Sequence, residues 1–155
     1  MPRWALVFVI VLIVADQILK QVMLSLVFFP PRIIEVTGFF NLVPVWNTGV
    51  SFGLLGDSST SRWVLVVVAL VIVAVLVVWL VRAGGGIVAF ALALVIGGAL
   101  SNVIDRVIYG AVIDFIDIHG FGFHWPAFNL ADTTIVVGTA LLLYDGLFGA
   151  PGARK

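Results

Sequence analysis

The sequence contains no cysteine and little charge: 8 Lys and Arg and 8 Asp and Glu make up only 10% of its 155 residues, with a formal net charge of zero. Without cysteine there can be no disulfide, no thiolate nucleophile and no Cys-ligated zinc or iron–sulfur site. A neutral chain offers little to a phosphate backbone, so no nucleic acid partner is expected. The scarcity of charge also argues against an ordinary soluble domain. With 63% hydrophobic residues, such a domain would lack the polar groups to cover its surface. Membrane lipid is the solvent this composition suits. In lipid a chain of this length forms a single domain, residues 1–155, without needing a large central core.

What is present is four apolar runs, at about residues 4–29, 63–81, 87–108 and 131–148. The first begins like a cleavable signal sequence after Arg3 but is too long for one, and reads as a retained helix. It contains Asp16, which costs about 3 kcal/mol on the insertion scale, while each Leu, Ile, Val or Phe returns roughly 0.3–0.6 kcal/mol, so the apolar residues prevail. Pro30-Pro31 should end it. The second run is uncharged and matches the hydrocarbon thickness. Residues 57–61 before it, Asp57 through Ser61, offer N-caps, and Gly84-Gly85-Gly86 after it makes a short turn. The stretch containing Gly110, Gly120, Gly122 and Pro126 reads as irregular or interfacial. Residues 32–52, β-branched and aromatic with a possible turn at Thr37-Gly38, suggest a small sheet. The expected fold is an all-α polytopic membrane protein of four transmembrane helices with a small extracytoplasmic β-rich loop region.

An even number of spans puts both termini on one side with Arg3, Arg82, Arg154 and Lys155, against Arg32, Arg62 and Arg106 on the other. By the positive-inside rule this narrowly favours cytoplasmic termini. Glu35, Asp57, Asp105, Asp114, Asp117 and Asp132 all fall on the far side, and only Asp145 lies near the inner face.

Acids at a membrane boundary are functional candidates by default. Asp105 ends the third span, Asp132 opens the fourth, and Asp114 and Asp117 lie between. Asn102 stands one turn before Asp105 and Arg106 on the same helix face. The simplest role for Asp105 and Arg106 is a structural ion pair. Asn129 and Asp132 have N-cap to N3 spacing. Asp16 and Lys20, one turn apart, suit a structural ion pair as well. Gly97 and Gly98 permit close helix packing.

Two carboxylates a few ångströms apart share one proton near neutral pH, which is the chemistry of aspartic proteolysis. Residue chemistry alone does not choose the pair among Asp105, Asp114, Asp117 and Asp132. A Ser/Lys peptidase using Lys20 with Ser51 or Ser101 is formally available. A metal held by Asp114, Asp117, His119 and His124 fits no strong ligand template. From another class, Asp16, Lys20 and Asp105 could form the relay of a non-enzymatic ion or proton carrier.

Five segments resemble the motifs of bacterial lipoprotein signal peptidase, or signal peptidase II: Asp16-Gln17 with Lys20; Asn47-Thr48-Gly49-Val50-Ser51-Phe52-Gly53; Gly97-Gly98-Ala99-Leu100-Ser101-Asn102-Val103-Ile104-Asp105-Arg106; Val112-Ile113-Asp114-Phe115-Ile116; and Phe128-Asn129-Leu130-Ala131-Asp132. They occur in the family's order across nearly the whole chain. Ser51 and Ser101 depart from the family's usual alanine and glycine, and a hydroxyl at Ser51 would add a hydrogen bond near a substrate. The resemblance implies that Asp114 and Asp132 are the catalytic pair, supported by Asn47, Gly49, Asn102, Asp105, Arg106 and Asn129, with no cofactor and no metal. It implies an aspartic endopeptidase that removes the signal peptide from a prolipoprotein by cutting before a diacylglyceryl-modified cysteine. Such an enzyme would be a monomer in the bacterial inner membrane, its active site near the outer face. Residues 32–52 would form a cradle over the substrate, with Trp46 and Phe52 at the interface.

Overall fold

A computed structural model of the chain describes residues 2–49 and 58–148, apart from the side chains of residues 58–61. Readings that rest on Ser51, Phe52, Gly53, the caps of residues 57–61, Arg154 or Lys155 lie outside the described residues. Among the described residues four helices are long and apolar enough to cross a bilayer: α1 (Arg3–Leu26), α2 (Ser58–Arg82), α3 (Gly86–Tyr109) and α4 (Leu130–Phe148). Helices satisfy their own backbone hydrogen bonds, which is the condition for apolar chain to run through hydrocarbon.

The ends differ from expectation by a residue or two at most places and by more at two. α1 stops at Leu26, three residues short of Phe29. Phe29 precedes a proline, where the α conformation is disfavoured, and the chain unwinds ahead of it: Val27 N–H bonds Met23 O at 2.9 Å and Phe29 N–H reaches back to Leu24 O at 3.0 Å. α2 begins at Ser58, five residues before Trp63. α3 ends on Gly110 in the left-handed region, φ 82°, with its N–H on Arg106 O.

The segment between α3 and α4 is not irregular. It contains β3 (Val112–Gly120) and β4 (Phe123–His124), which join β1 (Ile34–Thr37) and β2 (Phe40–Asn47) in an antiparallel sheet ordered β1-β2-β3-β4. Of the glycines that suggested irregular chain, Gly110 ends α3 and Gly120 and Gly122 lie at the turn from β3 to β4, while the run from Val112 to Ile118 is β-branched and aromatic enough to pair with β2. The β1–β2 turn falls at Gly38-Phe39, where Phe39 N–H bonds Thr37 Oγ1. A register shift between Leu42 and Val45 puts an additional residue into β2 opposite β3. The fold is therefore mostly helical, with one small sheet.

α3 is the hub, packing on α1, α2 and α4. Its N-terminal half contributes Ala89, Leu92, Ala93 and Ile96 to a core with Ala5 and Val9 of α1 and Val73 and Leu80 of α2. A second core joins the end of α1 (Met23, Leu24), with Val27 and Phe28, to Ile113 and Phe115 of β3. Trp46 of β2 stands between Phe28 and Tyr109, with ring centroids 5.0 and 5.8 Å away, so the sheet sits against the ends of α1 and α3. The outward faces stay apolar: Val67, Val71, Val75 and Val78 of α2 are all exposed, a surface suited to lipid.

α3 and α4 touch backbone to backbone. A methyl group added at Gly98 would overlap Ala131 O and Thr134 Oγ1, and one at Gly138 would lie 2.6 Å from Ala91 O. Gly98→Ala should therefore push α4 off α3 at the level of Asp132. The expected cost is about 1–3 kcal/mol, the range for overpacking a close contact, read as a lower thermal unfolding midpoint in detergent. An unchanged midpoint would contradict the close approach.

Candidate active site

α1 presents Asp16, Gln17 and Lys20 on one face, and α3 answers with Ser101, Asn102 and Asp105 at the same spacing, i, i+1 and i+4. Between them lies a fully buried ammonium. Lys20 Nζ is 2.7 Å from Asp16 Oδ2, 2.7 Å from Asp105 Oδ2 and 3.0 Å from Asn102 Oδ1. A lysine has three protons to donate, and each finds an acceptor. The acids are satisfied in turn. Asp16 accepts from Ser101 Oγ at 2.6 Å and from Ala131 N–H at 2.9 Å, and Asp105 accepts from Gln17 Nε2 at 2.8 Å and from Ile113 N–H at 3.2 Å. This cluster thus ties α1 to α3, to the first turn of α4 and to β3.

The ion pair expected between Asp105 and Arg106 does not form, because Asp105 points inward to Lys20. Arg106 instead donates through Nη1 to Asn102 O at 3.4 Å, and its Nε is buried with no partner among the described residues. Its Nη2 lies beside Gly49, where a Cβ would stand 3.4 Å from it and 2.7 Å from Leu65 Cδ1. Gly49 has φ +76°, so both its backbone conformation and the space beside it favour glycine there.

Two of the three remaining candidate acids, Asp114 and Asp132, meet over Asn129. Asn129 and Asp132 form a capping box: Asp132 N–H donates to Asn129 Oδ1 at 2.9 Å and Asn129 N–H donates to Asp132 Oδ2 at 3.2 Å. From the same amide, Asn129 Nδ2 donates to Asp114 Oδ1 at 2.7 Å. Asp114, on β3, also accepts from Asn47 Nδ2 at 2.8 Å, and Asp132 from Asn102 Nδ2 at 2.7 Å. All three amides are fixed in orientation by groups that can only donate. Asn47 Oδ1 accepts Gly49 N–H, Asn102 Oδ1 accepts the Lys20 ammonium and Asn129 Oδ1 accepts Asp132 N–H. Each NH₂ group therefore has to face a carboxylate.

Burial pushes the Asp114 carboxyl up to about 7. The Asn47 hydrogen bond opposes this, the nearby Asp132 charge adds to it, and the Asn129 bond and the Lys20 charge oppose it.

Asp117 stands apart. Side chains alternate along a strand, so three residues on from Asp114 it faces the other side of the sheet. There it accepts from Asn41 Nδ2 at 3.0 Å and contacts His124 Nδ1 at 2.9 Å, beside a cavity of about 620 Å³ that Arg32 and Trp125 also line. Burial raises its carboxyl, but the His124 and Asn41 hydrogen bonds and the charges of His124 and His119 bring it below the usual value. His119 stacks on His124 at 4.8 Å. Asp114, Asp117 and the histidines do not converge: among the described residues no three His, Asp or Glu side chains stand together as metal ligands.

Comparison with known proteins identifies the family. The family model for signal peptidase (SPase) II matches residues 8–148. The chain belongs to the signal peptidase II family. Among curated relatives, the lipoprotein signal peptidase of Cupriavidus taiwanensis is 44% identical over 150 residues, covering 94% of this chain and 84% of that protein. That of Janthinobacterium sp. is 42% identical over 139 residues, covering 88% and 84%. Two solved structures, both described as a bacterial membrane enzyme, superpose with TM-scores of 0.79 and 0.80 at 25% and 26% identity, covering 100% and 97% of this chain and 93% and 96% of theirs.

Gln17, Ser101 and two backbone N–H groups belong to the polar cluster although residue chemistry alone singled out none of them for it. Gln17 and Ser101 were legible as polar neighbours of Asp16 and Asn102 on apolar helices. The N–H groups of Ile113 and Ala131 leave no trace in a sequence. Ser101, where signal peptidase II usually has glycine, donates to Asp16 and receives Gln17 Nε2 at 3.0 Å, so the departure adds a link between α1 and α3.

Asn129→Ala removes a cap and should cost about 1 kcal/mol, seen as a lower unfolding midpoint. Asn129→Ser keeps a cap acceptor and should recover most of that stability, while still lacking the amide donor to Asp114. Equal midpoints for the two variants would contradict the capping role.

Proposed function

We propose that the protein is a lipoprotein signal peptidase whose Asp114 and Asp132 form an aspartic catalytic dyad. Family membership carries the reaction class, removal of signal peptides from prolipoproteins. The observation that carries the dyad is the shared Asn129 amide, which holds both carboxyls in one hydrogen-bonded unit while burial favours a proton on Asp114.

In this mechanism Asp132 is the ionised partner. It takes a proton from a water molecule as the water oxygen bonds to the scissile carbonyl carbon, and the protonated Asp114 donates to the developing oxyanion. Collapse of the tetrahedral intermediate breaks the C–N bond, the leaving nitrogen taking up a proton from the dyad. Arg106, with donors to spare beside Gly49, and Asn47 orient the substrate backbone.

The substrate that the family resemblance implies suits the place where the dyad sits. Asp132 lies in the first turn of α4 and Asp114 on a strand packed against the ends of α1 and α3, so the bond to be cut lies at a membrane boundary. A cysteine bearing a diacylglyceryl group would be held there by its own lipid, and cleavage before it releases the signal peptide. The sheet and the dyad lie on the extracytoplasmic side of the bacterial inner membrane and the termini in the cytoplasm. β1 and β2 form part of a cradle over the substrate, and the protein acts as a monomer. The arginine count and the clustering of acids at one set of helix ends support this orientation.

The carrier reading is not favoured. Asp16, Lys20 and Asp105 close on one another in a single saturated cluster, whereas a relay needs titratable groups spread across the bilayer.

Asp114→Asn or Asp132→Asn should leave a folded, inserted protein whose cleavage of a diacylglyceryl-modified prolipoprotein, followed by gel shift, falls by about 10³-fold or more, within the range of general acid–base loss. Near-normal cleavage by either variant would end the dyad assignment. A second expectation concerns pH. With the Asp114 carboxyl at about 7, the singly protonated dyad loses its proton as pH rises through that value. Cleavage should therefore decline on the alkaline side of about 7, and a rate still climbing at pH 9 would contradict it.

A further inference from the structure

Lys20 is a buried titratable group that the mechanism above does not use, and its contacts suit more than helix pairing. Asp16 alone, one turn away on the same helix at 2.7 Å, would neutralise it. Its third proton goes to a neutral acceptor, Asn102 Oδ1, at 3.0 Å. An ammonium cannot accept a hydrogen bond, so this contact permits one orientation of the Asn102 amide, oxygen toward Lys20 and Nδ2 toward Asp132 at 2.7 Å. The other donor to Asn102 Oδ1 is Asn129 Nδ2, at 3.3 Å, and that NH₂ group also serves Asp114 Oδ1 at 2.7 Å and Ile113 O at 3.3 Å. Lys20 is the stronger hold.

We propose that Lys20 is a positioning residue for the dyad: by fixing the Asn102 amide it keeps an N–H donor on Asp132, and so keeps Asp132 the ionised partner. The inference rests on the dyad reading above. Asp16 of α1 and Asp105 of α3 face Lys20, Asp132 of α4 faces the Asn102 amide, and Asp114 of β3 and Arg106 stand next to them. If the hold is lost, the amide can turn its oxygen toward Asp132. Only a protonated carboxyl can donate to that oxygen, so Asp132 would then favour its neutral form and lose its action as a base.

The test is the acid limb of the pH–rate profile for prolipoprotein cleavage. Lys20→Met combined with Asp105→Asn removes one positive and one negative charge and leaves the net charge of the cluster as it was. The acid limb should move up by about one pH unit or more, so that activity well below the limb falls about tenfold further than activity at pH 7 for each unit of the move. A merely structural ion pair would lower the whole profile without moving the limb, and that result overturns the proposal, as does a wild-type profile.

If the double variant does not fold, Asn102→Asp carries the test. It keeps an acceptor for Lys20 but turns a carboxylate toward Asp132 in place of the donor. Its acid limb must also rise by about one unit or more, and an unmoved limb overturns the proposal. Asp114→Asn runs alongside: if that variant still cleaves, the dyad reading has failed, whereas an inactive Asp114→Asn with unmoved acid limbs counts against Lys20 alone.

Discussion

The structure depends on the burial of one ammonium group. Lys20 is completely enclosed among α1, α3 and the chain leading into α4, in a protein whose surroundings are hydrocarbon. An unpaired charge there would cost several kcal/mol, so each of its protons must have a partner, and those partners lie on α1 and α3. Their own unmet bonds then reach further, to Ala131 N–H at the start of α4, to Ile113 N–H on β3 and to Gln17 on α1. One constraint, full satisfaction of a buried cation, thus brings two helices, a helix N-terminus and a strand into register. The candidate dyad is built on what that register leaves facing outward.

Apolar contacts alone would not achieve this. Outside the cluster the helices meet through Ala, Val and Leu, and such surfaces slide with little penalty when lipid is as apolar as the partner helix. The glycine contacts set how closely α3 and α4 approach. The hydrogen bonds fix rotation and height, because an amide or carboxylate loses its bond when displaced by an ångström. Division of labour among the helices follows. α2 adds apolar area to α3 and, among the described residues, no side chain to the polar cluster, whereas α1, α3 and α4 supply nearly all of it.

Much of this was legible in the sequence. The four spans follow from apolar run length, and the proximity of Asn129 to Asp132 from cap spacing. Less legible was the chain between α3 and α4, where four turn-forming residues masked the strand pattern of Val112 to Ile118. Without strand alternation Asp114 and Asp117 are equivalent in the sequence, and only the pleat separates them onto opposite faces. The partner of Asp105 was hidden for a different reason. Sequence neighbours suggested Arg106, but side chains adjacent on a helix point about 100° apart, and a buried acid takes the cation that is buried with it. The resemblance to a family points to Asp114 and Asp132 as the pair where spacing left four choices open, because the link between them runs through Asn129 from a strand to a helix.

The contact between Lys20 and Asp16 joins residues of the same helix, and this has a bearing on how the protein is made. The first helix enters the membrane before α3 and α4 have been synthesised, at a stage when neither Asp105 nor Asn102 exists to receive the lysine. An acid one turn before the base lets α1 carry both groups into lipid as an internally neutral pair. Later arrivals then inherit a charge already tolerated by the bilayer and have only to complete its hydrogen bonds. The spacing of Asp16 and Lys20 thus serves the assembly pathway before it serves the finished molecule.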